Sequence, residues 1–107
     1  MNDDDRAIAD YTQALKFNTL DPQFTIASHY NRGNAYNRKG NYDLAIADYT
    51  QAIRLDSDNI NLYINRRNAY LRKNDYDRAI ADYEAALRID PTHANARRSL
   101  EYARQQR

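Results

Sequence analysis

Few side chains in this sequence are equipped for covalent or metal chemistry. His29 and His93 are the only imidazoles, and neither is followed by a second ligand three or four residues on, the spacing that pairs ligands on a helix. Asp3, Asp4 and Asp5 form an acidic run that lacks the glycine and the distal glutamate of a calcium loop; three carboxylates there suit the start of a helix instead. No glycine-rich phosphate loop or nucleophile elbow occurs, and there is no cysteine. The sequence predicts no catalytic residue, no metal and no cofactor.

The chemistry that recurs is recognition. Asn31, Asn34 and Arg38 stand at i, i+3 and i+7, on one face of a helix, and Asn65, Asn68 and Arg72 repeat that face 34 residues later. An amide side chain both donates and accepts, so a column of asparagines can pair with the backbone of an extended peptide without reading its sequence. The arginines favour a ligand of acidic character. A second set also recurs in register: Asp10, Asp48 and Asp82, with Arg32 and Arg66. Arg32–Asp48 and Arg66–Asp82 would pair within a hairpin, whereas Asp10–Arg32 and Asp48–Arg66 would pair between neighbours; the spacing allows both. Either is a structural clamp, because removing one partner of a desolvated pair is costly.

An internal repeat positions these residues. Asp5–Tyr11 and Asp77–Tyr83 both read D-R-A-I-A-D-Y, and Asp43–Tyr49 reads D-L-A-I-A-D-Y. The last two copies start 34 residues apart and the first two 38 apart, a period that marks a solenoid whose units bury their apolar faces against one another. Two Gly and two Pro in 107 residues leave little material for loops or strands, so the chain reads as all-α. Apolar periodicity, Asp21-Pro22 as a helix start, and Gly40-Asn41 and Asn74-Asp75 as left-handed helix ends predict helices over 3 to about 18, 22 to 39, 42 to 55, 59 to 73, 76 to 89 and 93 to 105. The four extra residues fit one added turn on the second helix or, as the alternative, on the first. Short links make sequential helices antiparallel, giving an α-solenoid of about six helices in hairpins.

Ala45, Tyr49 and Ala52 with their counterparts Ala79, Tyr83 and Ala86, and Gly33 and Tyr36 with Arg67 and Tyr70, resemble the tetratricopeptide repeat. In that family the second helix of each unit carries an Ala, aromatic, Ala series. The resemblance implies one domain: a half repeat at 1–21, full repeats at 22–57 and 58–92, and a terminal helix at 93–107. Two residues depart from the pattern: Arg67 replaces a small residue, and His29 stands where a large aromatic is usual.

The family's first helices line a concave groove. That implies a non-catalytic module binding an extended peptide or partner helix through Tyr30, Asn31, Asn34, Arg38, Asn61, Ile64, Asn65, Asn68, Arg72, Arg98 and Tyr102. Family members that clamp a carboxylate use basic residues where this chain has Tyr30, Asn95 and Ser99, so chaperone tails are not the expected ligand.

The alternative reading is a self-assembling repeat. The first heptapeptide lacks a preceding partner helix, and the last helix has the register of a first helix. A head-to-tail homo-oligomer would set Ala96, Leu100 and Ala103 of one copy on Ala7, Ile8 and Tyr11 of the next. A formal net charge of +1 gives no field for nucleic acid or membrane. The acidic start is unlike a signal peptide, so the expected compartment is the cytoplasm by default.

Overall fold

The computed structural model describes residues 2–17 and 21–107. Among them six helices follow one another without a strand: α1 (Asp3–Phe17), α2 (Pro22–Arg38), α3 (Tyr42–Leu55), α4 (Ile60–Arg72), α5 (Tyr76–Ile89) and α6 (Ala94–Gln106). Each packs on the next, and α2 also meets α4. The resulting stack of hairpins measures 42 × 28 × 18 Å. Part of the expected link at 18–23 lies outside the described residues.

Local chemistry sets the helix ends. Asp21 accepts from the Gln23 amide at 3.0 Å, and Pro22 follows at the position that needs no N–H. α2 has 17 residues against 13 for α4, and Ile26 stands in register with Ile60, so the added turn is at the N-terminus of α2. Gly40 (φ 83°) and Asn74 (φ 60°) take the left-handed conformation, and the next amides, of Asn41 and Asp75, close back on Tyr36 and Tyr70 carbonyls at 2.9 Å. His93 precedes its helix rather than beginning it: Nδ1 accepts from the Ala96 amide at 3.1 Å, the role of a cap.

The Ala, Asp, Tyr, Ala stripe is buried on α3 and α5, as its helical spacing dictates. Gly33 shows why a small residue is needed between the helices of a hairpin. A Cβ there would stand 2.8 Å from Cε1 of Tyr49, whose ring is fully buried. At the equivalent place Arg67 lays its guanidinium 4.7 Å from the centre of the Tyr83 ring. Burial lowers the pKa of Arg67, with the charges of Tyr83 and Asp82 acting the other way.

Within each hairpin an arginine clamps an aspartate. Arg32 donates Nε to Asp48 Oδ2 at 2.8 Å and Nη2 to Oδ1 at 2.7 Å, and Arg66 does the same with Asp82. His29 joins the first clamp, donating Nδ1 to Asp48 Oδ1 at 2.9 Å, which accounts for a histidine where an aromatic was expected. The hydrogen bonds of Asp48 raise the pKa of Arg32. At the second clamp burial alone would lower that of Arg66, and the bonds and charge of Asp82 more than reverse it. Asp82 itself is raised by burial, which its bonds to Arg66 only partly offset.

The same arginines tie one hairpin to the helix before it. Arg32 Nη1 donates to Thr12 Oγ1 and Arg66 Nη1 to Thr50 Oγ1, both at 3.1 Å. At the third seam, between α5 and α6, these two positions read Glu84 and Leu100. There Leu100, Ala96 and Ala103 are buried with Ile80, Tyr83 and Ala86 in an apolar cluster. The three residues of α6 expected to meet another copy therefore pack within their own chain. Along the outer edge one charge pair repeats at every seam, joining Asp5 to Lys39, Asp43 to Lys73 and Asp77 to Arg107.

Candidate functional site

Asparagines and tyrosines join α2 to α4 in one network. Asn65 donates Nδ2 to the Tyr30 hydroxyl at 3.1 Å and to Asn34 Oδ1 at 3.2 Å; Tyr49 donates its hydroxyl to that same oxygen at 2.5 Å. Burial raises the pKa of Tyr49 well above the ordinary phenol, so its hydroxyl remains a donor at neutral pH. These bonds orient both amides. Among the described residues Asn34 Nδ2 and Asn65 Oδ1 have no hydrogen-bond partner. Together they offer a donor and an acceptor, the complement of one peptide unit.

Two hollows flank this network. On one side Ile26, Ala27, Tyr30, Asn61 and Leu62, with Asp56, line a cavity of about 250 Å³, floored by buried Ile26 and Leu62. On the other, Asn37, Arg38, Tyr42 and Arg72 line one of about 370 Å³. From Ala27 to Arg38 a helix rises about 16 Å at 1.5 Å per residue, the reach of about five residues of extended chain. Two hollows of about 430 Å³ lie elsewhere, at the Gly40 turn and beside Ser57. They are larger, but neither touches the asparagine network.

The expected groove residues thus divide. Tyr30, Asn34 and Asn65 form the network, Asn61 lines the apolar hollow, and Arg38 and Arg72 line the basic one. Arg38 also donates Nε to Asp4 at 2.8 Å. Asn31 is half-buried, with no side-chain hydrogen bond among the described residues. The other four lie outside this network. Ile64 packs against the core cluster around Leu100. Asn68 Oδ1 accepts from Arg67 at 3.0 and 2.5 Å, because no glycine there lets the tyrosine of α5 approach as Tyr49 does. Arg98 and Tyr102 are exposed on α6, away from the network. Ile26, Leu62 and Asp56 were not anticipated as lining residues; the apolar pair reads as core in the sequence.

Among the described residues no group of three or more His, Cys, Asp or Glu could hold a metal, and no helix is long and apolar enough to cross a membrane.

The tetratricopeptide repeat profile matches residues 26–59 and 61–93. A comparison with curated proteins finds no match. Among solved structures the chain is similar to the Arabidopsis OM64 TPR domain, at 26% identity and a TM-score of 0.79, over 95% of this chain and 81% of that one. It is similar to the first TPR of Spaghetti (RPAP3) bound to the HSP90 peptide SRMEEVD, at 26% identity and 0.80, over 95% and 78%. It is also similar to the second TPR domain of human RPAP3 in complex with the HSP70 peptide SGPTIEEVD, at 27% and 0.79, over 94% and 81%. With two matched repeats spanning well over half of its length, this chain belongs to the tetratricopeptide repeat family.

Proposed function

We propose that this protein is a non-catalytic module that binds an extended, acidic peptide along α2 and α4. The observation that carries the reading is the Asn34–Asn65 pair, held by Tyr30 and Tyr49 so that one donor and one acceptor are left for a peptide unit. An apolar side chain enters the hollow at Ile26 and Leu62, and a carboxylate about five residues away meets Arg38 and Arg72. Two similar structures are described with peptides ending in Glu-Glu-Val-Asp, which supports an acidic ligand. Tyr30, Asn95 and Ser99 stand where the resemblance implies basic clamp residues, so the carboxylate is gripped at Arg38 and Arg72, and it need not be a C-terminus.

The test is a peptide display selection, followed by titration of the recovered peptide against Asn34→Ala and Asn65→Ala. Each substitution is expected to cost about 1 kcal/mol of binding per hydrogen bond removed. Unchanged affinity in both folded variants would reject the reading.

A further inference from the structure

The two hollows that flank the asparagine pair differ in the sign of their charge. Arg38 and Arg72 are the charged residues lining one, whereas the charged residue lining the other is Asp56. Asp56 follows the last turn of α3 and is half-buried. Its Oδ2 accepts from Asn59 Nδ2 at 3.1 Å, and among the described residues Oδ1 has no hydrogen-bond partner and no lysine or arginine pairs with the carboxylate. Asp90 holds the same position 34 residues on and serves its turn, accepting from the Thr92 amide and hydroxyl at 3.1 and 2.7 Å. Asp56 differs in standing at a hollow of about 250 Å³ whose floor, Ile26 and Leu62, is buried and apolar. Asp21, at the start of α2 beside the lining residue Gln23, adds charge of the same sign.

We infer that the side chain seated in the Ile26–Leu62 hollow is a lysine of the bound peptide. A lysine has both parts that the walls call for: an aliphatic stem to lie along Ile26, Ala27 and Leu62, and an ammonium, which only donates, to meet the Asp56 carboxylate. A wholly apolar side chain would desolvate that half-buried carboxylate without giving it a partner, and an acidic one would oppose it. The inference rests on the groove reading above and sharpens it. The ligand carries a lysine and, about five residues away, an acidic residue, so that its charges complement those of the two hollows. A peptide of one sign can satisfy only one of them.

The probe is a bead library of capped peptides with one glutamate fixed, a lysine, norleucine or second glutamate fixed about five residues to either side of it, and the other positions random. The fluorescently labelled full chain stains the beads, and the binders are then titrated. Lysine peptides are expected to bind about tenfold or more tighter than their norleucine twins, as for a charge-assisted hydrogen bond, and peptides with the second glutamate weakest. In Asp56→Asn, which keeps an oxygen to accept from Asn59 and loses the charge, the advantage of lysine over norleucine should disappear. The proposal is overturned if norleucine binds as tightly as lysine, or if the lysine advantage survives Asp56→Asn. Either result leaves the groove reading standing when Asn34→Ala and Asn65→Ala weaken the same peptides; unchanged affinity in those two variants, or no stained bead, overturns both.

Discussion

Arg32 closes on both oxygens of Asp48 and passes its remaining nitrogen to Thr12, so one side chain fixes a hairpin and also ties it to the helix before. Arg66 repeats this with Asp82 and Thr50. The Asp of the repeated heptapeptide is therefore a structural residue, and its burial decides its worth.

Asp48→Ala should destabilise the fold by about 3–5 kcal/mol, because Arg32 is left desolvated without its partner. Against a total of about 5–15 kcal/mol that is a large fraction. Asp10→Ala, at the same repeat position but exposed, should stay within about 0.5 kcal/mol. Urea denaturation of the two variants checks the contrast, and equal losses would contradict it.

Gly33→Ala should be harmful although alanine is the better helix former by about 1 kcal/mol. Its Cβ would press on the Tyr49 ring at 2.8 Å, and a fully buried ring has nowhere to go. A net loss of about 1–3 kcal/mol is expected. At the equivalent position Arg67→Ala removes a stacked cation from Tyr83 and should cost about 1 kcal/mol. Thermal melts of both variants test this, and a stabilised Gly33→Ala would refute the packing account.

Carboxylates should titrate on both sides of their ordinary value of 3.8. Asp5 lies below it, chiefly through its hydrogen bond from Lys39, and Asp82 above it, through burial. For Asp5 the folded value is depressed, so its contribution to stability is present above pH 3.8 and fades as pH falls through the folded value. Asp82 has the opposite sign: the folded chain takes up its proton first, so its contribution falls as pH rises from 3.8 through the folded value. Carbon-detected NMR of the side-chain carboxyls measures both. Lys39→Gln should return Asp5 toward 3.8, and an unmoved Asp5 would remove Lys39 as the cause.

The helices were legible because their signals are local. Asp21-Pro22 opens one, Gly40 and Asn74 close two, and the apolar period fills the spans between. The clamp partners were not, since Asp48 is equally well spaced from Arg32 and Arg66 until the helices pack. The asparagine face was visible as a pattern, but its use was not. Asn34 and Asn68 occupy one repeat position and still have different partners, Tyr49 and Asn65 against Arg67, because Gly33 and Arg67 differ one residue earlier. Such a difference arises between helices and leaves no mark on the period.

The change from Thr12–Arg32 and Thr50–Arg66 to Glu84 and Leu100 makes the hairpins non-interchangeable. A duplicate of residues 26–59 placed after Asn59 would meet hydroxyl and guanidinium on both sides, so the superhelix can be lengthened in its interior. A duplicate of the same block set directly against α6 would bury a threonine under Leu100, with no guanidinium to bond its hydroxyl. The molecule thus carries a direction of growth, written in two side chains.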